Sequence, residues 1–463
     1  MTKTINMTTG KPAKLIFFFA LPLMFGNVFQ QLYRVVDTAI VGKGVGMDAL
    51  AALGSMDWLC WLVLGVSQGF AQGFCVQMSQ KFGEGDMPGL RKAIGASAGL
   101  TIAMTLFLEV VCQVILPFSL DWLRVPETLR VDAGMYVRIY FIGIPALMFY
   151  NFTSAVLRAV GDSKTPLFAM VISSVVNVIL DLITVFSLGW GVAGAAWATV
   201  IAQVCAGGVC TIKIIRTQIL HFGWKDLIGD RRLVGKLLYL GCPISFQSLV
   251  IAVGGMVLQT VINSFGTVFI AGFTATNKLY GLLEMAAISY GSAVTTFVGQ
   301  NFGAGNMNRI RKGVRAAVWI SLITSAIIGI LMLLFGHQFA LMFISSESPE
   351  QLEAACSVAY RYLAVMSITL PILYLLYVYL SVMTGLGKTI LPMISGIVEF
   401  CMRVSCALVA ALWLGETVIY FAEPAAWLGA TTLMMVSYYI TFNRIKRKLE
   451  QKKMQIPGIT ENK

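Results

Sequence analysis

The sequence is short of what a soluble enzyme needs. Charged residues make up 12% of its 463 positions, about half of the roughly one-quarter share that solvates a globular surface. Histidine occurs only at His221 and His337, far apart in the chain, and the nine cysteines include no Cys-x-x-Cys pair. These scarcities exclude a structural zinc site, a disulfide framework and a histidine-based nucleophile–base pair. The cysteines all sit inside apolar segments, where they read as small buried hydrophobes.

What is abundant is apolar: 57% of the chain, gathered in blocks such as residues 15–33, 100–118, 167–180 and 316–335. A bilayer core of about 30 Å takes about 20 such residues per helix. The chain therefore reads as an all-α integral membrane protein. Twelve spans are expected, near 15–40, 50–76, 92–116, 133–157, 165–187, 192–215, 236–263, 268–298, 314–343, 357–384, 389–413 and 421–443. The first block follows Lys3, Lys11 and Lys14, as a cleavable signal would. It runs on through Asn27, Gln30, Arg34 and Asp37 without a small-residue cleavage site, so it reads as a permanent helix.

Basic residues set the expected orientation, because Lys and Arg stay on the cytoplasmic side. With both termini cytoplasmic, the outer loops hold only Lys43, Arg124 and Arg130. Arg34, Arg138, Lys278, Arg361 and Arg403 lie in or beside spans, and all the rest of the 34 Lys and Arg fall inside. The net charge of +12 then reflects loops that meet anionic lipid headgroups, and calls for no nucleic-acid partner. The expected location is the cell membrane, multi-pass.

The chain repeats itself. Residues 79–94, SQKFGEGDMPGLRKAI, align without gaps to residues 299–314, GQNFGAGNMNRIRKGV. Leu21-Pro22 matches Cys242-Pro243, and VLRAVGDSKTPL (156–167) matches VMTGLGKTILPM (382–393). Each unit holds six spans, an even number, so the two copies enter the membrane in the same sense; substrate sites in such parallel repeats lie between them. The expected division is an N-terminal lobe at 1–216, an inter-lobe linker at 217–235, a C-terminal lobe at 236–446 and a basic tail at 447–463.

Two spans carry polar stripes. On the first, Asn27, Gln30, Gln31, Arg34, Asp37 and Thr38 fall within an arc of about 120°. On the fifth, Ser173, Ser174, Asn177, Asp181 and Thr184 do the same, with Asn177 and Asp181 stacked at i,i+4. At about 1.5 Å per residue both acids come to the outer half, where they can meet. A carboxylate in a span costs at least roughly 2.5–3.5 kcal/mol on insertion scales, so it has a purpose. Two readings stay open: a structural pair (Asp37 with Arg34, Asp181 with Asn177), or a site that takes Na⁺ through oxygens or takes up a proton.

Asp57 and Glu109 are weaker candidates. In the second half, Leu258 stands at the match to Asp37 and Arg403 at the match to Asn177, so the acid cluster is not duplicated. Glu399 and Arg403, at i,i+4, suit an internal ion pair, and Glu284 near Lys278 and Tyr280 suits the cleft. With Asn27, Gln30, Arg34, Asp57 and Asn151, the acids Glu284 and Glu399 complete the candidate cleft. The 23 methionines suit a site that accepts many shapes.

LPLMFGNVFQQLYRVVDTAIVG (21–42), LRAVGDSKTP (157–166), NVILD (177–181) and GVAGAAWAT (191–199) resemble the MATE family, the multidrug and toxic compound extrusion transporters. The resemblance runs over essentially the whole chain. It implies two six-helix bundles around a central cleft and exchange of Na⁺ or H⁺ for organic cations. It places the coupling cluster at Asp37, Asn177, Asp181 and Thr199; Arg34 stands where the resemblance implies a neutral residue. The reading is thus a transporter and not an enzyme: no cofactor beyond Na⁺ or H⁺ as coupling ion, no metal beyond that Na⁺, cationic amphipathic small molecules as substrates, the lipid bilayer as surroundings, and a monomer. The alternative is a lipid-linked saccharide flippase, which needs a cationic cleft for diphosphate; the acids of the first half disfavour it.

Overall fold

The computed structural model describes residues 6–122, 127–344 and 348–454, and among these all the regular secondary structure is helical. The first half comprises α1 (Pro12–Gly44), α2 (Met47–Glu84), α3 (Met87–Trp122), α4 (Glu127–Ile142), α5 (Ile144–Ala159), α6 (Lys164–Asp181) and α7 (Gly191–Ile215). The second comprises α8 (Arg231–Ile262), α9 (Thr267–Gly303), α10 (Met307–Leu341), α11 (Pro349–Gly385), α12 (Ile390–Val409) and α13 (Ala422–Met454). Ten described helices are long and apolar enough to cross a bilayer, and the pair Leu129–Ile142 and Ile144–Ala159, bent by 44°, makes an eleventh when counted as one span.

Twelve spans were expected. The span placed near 421–443 falls on α13, where Thr431, Thr432, Ser437, Tyr438 and Tyr439 dilute the apolar run. That helix is not among those apolar enough to cross.

The repeat is written into the backbone. Left-handed glycines recur in register: Gly46 with Gly266, Gly85 with Gly305, Gly161 with Gly387 and Gly189 with Gly415. A short π-helical turn follows α6 at Leu182–Ser187 and α12 at Ala410–Leu414. Pro22 and Pro243 sit inside α1 and α8. The halves differ at one matched proline. Pro145 comes two residues after Gly143, where the chain breaks between α4 and α5; Pro371 comes two residues after Thr369, and α11 runs through it unbroken.

The opening of α1 serves the other half. Ile16, Phe19, Ala20 and Leu23, with Met7 before the helix, belong to a core built otherwise from α8–α13. At this end of the bundle α2 and α9 touch backbone to backbone. A Cβ on Gly83 would lie 1.9 Å from the Gln300 carbonyl oxygen, and one on Gly303 2.0 Å from that of Gln80. The halves are sealed here because glycine alone permits the approach.

Candidate functional site

The packing of α1 on α6 fixes which acids meet. Gly26 abuts Leu167 and Gly44 abuts Val185, each pair 141 positions apart, so the two helices run parallel in constant register. Asp37 therefore comes level with Val178, between Asn177 and Asp181. α7 runs antiparallel to α6. Ser173 Oγ donates to the Ala202 carbonyl at 2.8 Å, and Thr184 crowds Gly194. That register sets Thr199 opposite Asn177. Asp181 is the last residue of α6, at the α-to-π transition, a distortion that recurs at functional sites.

Asp181 is fully buried, Asn177 is 1% exposed and Asp37 is 9% exposed. The Asp37 and Asp181 carboxyls come within reach of each other. As carboxylates neither has a proton to donate, and both Asp181 oxygens lack a donor among the described residues. Both polar atoms of the Asn177 amide are likewise unpartnered. The hydrogen bond weighed between Asp181 and Asn177 is therefore not formed. Buried oxygens without donors are rare. Here the Asp181 carboxyl and the Asn177 amide bring them together beside the Asp37 carboxyl, with the half-buried Thr199 hydroxyl at their level. A hard cation takes such oxygens, and a proton shared by two carboxyls relieves the same repulsion.

Arg34 is set among tyrosines. Its neighbours are Tyr33, Tyr136 and Tyr140. Its side chain is accessible although it stands among those rings, as a group lining an open cleft does. Asn27 donates to Ser289 Oγ across the halves at 3.1 Å, and Gln30 lies half-buried on the same helix. Asn151 is buried and committed elsewhere, donating to Ser67 Oγ and the Leu147 carbonyl. Glu109 is half-buried on α3 and makes no hydrogen bond among the described residues. The Asp57 side chain lies outside the described set.

The second half carries a different cluster. Arg403 stands where the first half has Asn177, yet it does not pair with Glu399. Its Nε and Nη2 donate to both oxygens of Glu423 on α13, each at 2.8 Å. Gly254 on α8 leaves room for the guanidinium. The fork explains the choice, since two parallel bonds to one carboxylate exceed one bond along the helix. The sequence reading missed Glu423, because nothing in spacing marks a partner on the next helix. With Arg403 neutralised, Glu399 stays buried without a hydrogen-bond partner among the described residues. Glu284 accepts from Tyr377 Oη at 2.6 Å.

None of the nine cysteines is in a disulfide, and no group of three His, Cys, Asp or Glu among the described residues suits a metal ion.

The MatE family model matches residues 22–183 and 243–409, one copy in each half. The chain is 27% identical over 421 residues to the probable multidrug resistance protein YpnP of Bacillus subtilis, covering 89% of this chain and 92% of the relative. It is 28% identical over 340 residues to the probable multidrug resistance protein YoeA of the same organism, covering 71% and 73%. In fold it is similar to a MOP superfamily transporter from Pyrococcus furiosus, with a TM-score of 0.90 at 22% identity over 96% of this chain and 99% of that one.

Proposed function

The chain belongs to the MatE family, and on that footing we propose that it is a multidrug exporter that moves organic cations out of the cell in exchange for Na⁺ or H⁺. The observation that carries the reading is the facing pair Asp37 and Asp181, with Asp181 fully buried and neither of its oxygens given a donor among the described residues. Two buried carboxylates repel unless a positive charge lies between them. Asp37, Asp181, Asn177 and Thr199 would hold Na⁺, or the two acids one proton. Taking up the ion and taking up a cationic drug then compete for the same negative charge, which couples their movements. Its multidrug-resistance relatives point the same way.

The cleft between the halves would take the substrate, with Arg34 on one wall and Glu284 and Glu399 on the other. The glycine seal between α2 and α9 must open once per cycle, as alternating access requires. The protein works as a monomer in the cell membrane, with both termini in the cytoplasm, which requires α13 to cross as a twelfth span although it is less apolar than the others. A flippase for diphosphate lipids gains no support, because Arg403 is spent on Glu423.

The test is efflux of a fluorescent organic cation from proteoliposomes under separately imposed Na⁺ and H⁺ gradients. One of the two gradients alone drives efflux in this reading. Efflux indifferent to both would overturn it.

A further inference from the structure

The segment between the halves is not a slack connection. After α7 it forms two 3₁₀ turns, Gln218–Leu220 and Trp224–Ile228, and lies against α3. Gly95 and Gly99 make the bed: a Cβ on Gly95 would stand 2.4 Å from Asp226 Cβ, and one on Gly99 2.1 Å from the Leu227 carbonyl oxygen. Gly223 N–H donates to Asp226 Oδ2 at 2.8 Å, which closes the second turn, and Arg91 Nη2 donates to the Gln218 carbonyl at 3.3 Å.

So held, the segment walls two cavities. One of about 720 Å³ runs along α3 and α5 past Leu106, Phe149, Phe152 and Trp224. The other, of about 390 Å³, lies beside Ile228 and Val234. Ile102 and Leu227 line both, so they form a ridge between the two. The walls offer no spare polar group where hydroxyls occur: Thr101 and Thr105 donate to the carbonyls of Ser97 and Thr101 on their own helix. Cavities of roughly 300–1,000 Å³ are the size that holds a discrete ligand.

The surroundings say what kind. Trp224 and Ile228 are each 88% exposed, more than any other large hydrophobic side chain described. Water is a poor neighbour for them, whereas the boundary of a bilayer suits both. Lys213, Arg216, Lys225, Arg231 and Arg232 flank the same turns, against Asp226, which is held inside its turn, and Asp230. Basic residues beside an apolar slot at the membrane boundary select an anionic amphiphile.

We propose that this segment and α3 form a binding site for an anionic phospholipid, whose headgroup lies over the basic turns and whose two acyl chains straddle the Ile102–Leu227 ridge. The site is separate from the acid pair, and it gives the connection between the halves a lipid-dependent anchor.

Native mass spectrometry of the full-length protein tests it, after equilibration in detergent with equal amounts of phosphatidylglycerol and phosphatidylcholine. The wild type should retain phosphatidylglycerol several-fold over phosphatidylcholine. Lys225→Gln with Arg231→Gln and Arg232→Gln should bring the two toward parity. Ile102→Trp, which fills the ridge from an already exposed position, should cut retention of phosphatidylglycerol several-fold while the protein stays monodisperse. Equal retention of both lipids by the wild type would overturn the proposal, as would an unchanged preference in both variants. Stoichiometric displacement of the lipid by a fluorescent organic cation would assign the cavities to substrate and overturn it as well.

Discussion

Gln80 and Gln300 make the same bond in opposite directions across the seam of the molecule. Gln80 Nε2 donates to the Gly385 carbonyl at 3.1 Å, and Gln300 Nε2 to the Ala159 carbonyl at 2.9 Å. Each reaches from its own half into the other, and the acceptors are themselves matched positions of the repeat. Gln300 does more, since its Oε1 accepts the Met7 N–H at 2.8 Å, while Asn301 and Arg309 hold the Met7 carbonyl. Both side chains are nearly or fully buried, so each bond lost leaves a buried carbonyl unpaired, at about 1–3 kcal/mol.

The closed seam should therefore loosen unequally. Ser79 is fully buried against Gly299, and in a background without the native cysteines Ser79→Cys reports its opening. Gln300→Ala should raise labelling by a thiol reagent more than Gln80→Ala does, and Gly303→Ala more than either. Equal, low labelling in all three would show that these contacts do not hold the seam.

Orientation is tested by the same chemistry. Ser187 and Gln218 are both exposed, at opposite ends of their half. With cytoplasmic termini, Ser187→Cys reacts with an impermeant maleimide in intact cells and Gln218→Cys reacts only after permeabilisation. The reverse pattern would invert the proposed topology.

The buried fork between Arg403 and Glu423 makes a prediction about stability. Removing one partner of such a pair strands a charge, at about 3–5 kcal/mol, whereas removing both is far milder. Glu423→Gln should lower the unfolding temperature clearly, and adding Arg403→Met should recover much of the loss. If the double variant melts below the single, the pair is not the unit described here. Glu399→Gln, which makes no hydrogen bond in that fork, should leave the melting temperature near wild type.

Much of this was legible in the sequence, for identifiable reasons. The repeat is visible because its anchors are glycines and prolines, whose backbone demands survive where side chains drift; Gly85 and Gly305 still share a left-handed turn. The seam could have been read too, since Gln80 and Gln300 align within the repeated segment. Asp37, Asn177 and Asp181 stood out because polar residues are costly in a span. The break at Gly143 was not legible, because Pro145 and Pro371 look alike in sequence and only neighbouring helices decide whether the chain bends or breaks. Glu423 escaped for a related reason: helical periodicity predicts partners along one helix, and its partner is on another. The aromatic surroundings of Arg34 are tertiary in the same way.

The central claim is that Asp37 and Asp181 act as one site, since α1 and α6 hold them at one level and their carboxyls face each other. Each residue of a unit is sufficient to disable it, so losses within it do not add. The direct measurement is the initial rate of gradient-driven efflux in proteoliposomes for Asp37→Asn, Asp181→Asn and the double variant, compared with Asp37→Asn combined with Glu399→Gln. The account predicts that each single substitution abolishes or nearly abolishes coupled efflux at near-normal expression. It also predicts that the double is hardly worse than either, whereas any loss from Glu399→Gln multiplies with that of Asp37→Asn. Partial losses from Asp37→Asn and Asp181→Asn that multiply in the double variant would contradict it.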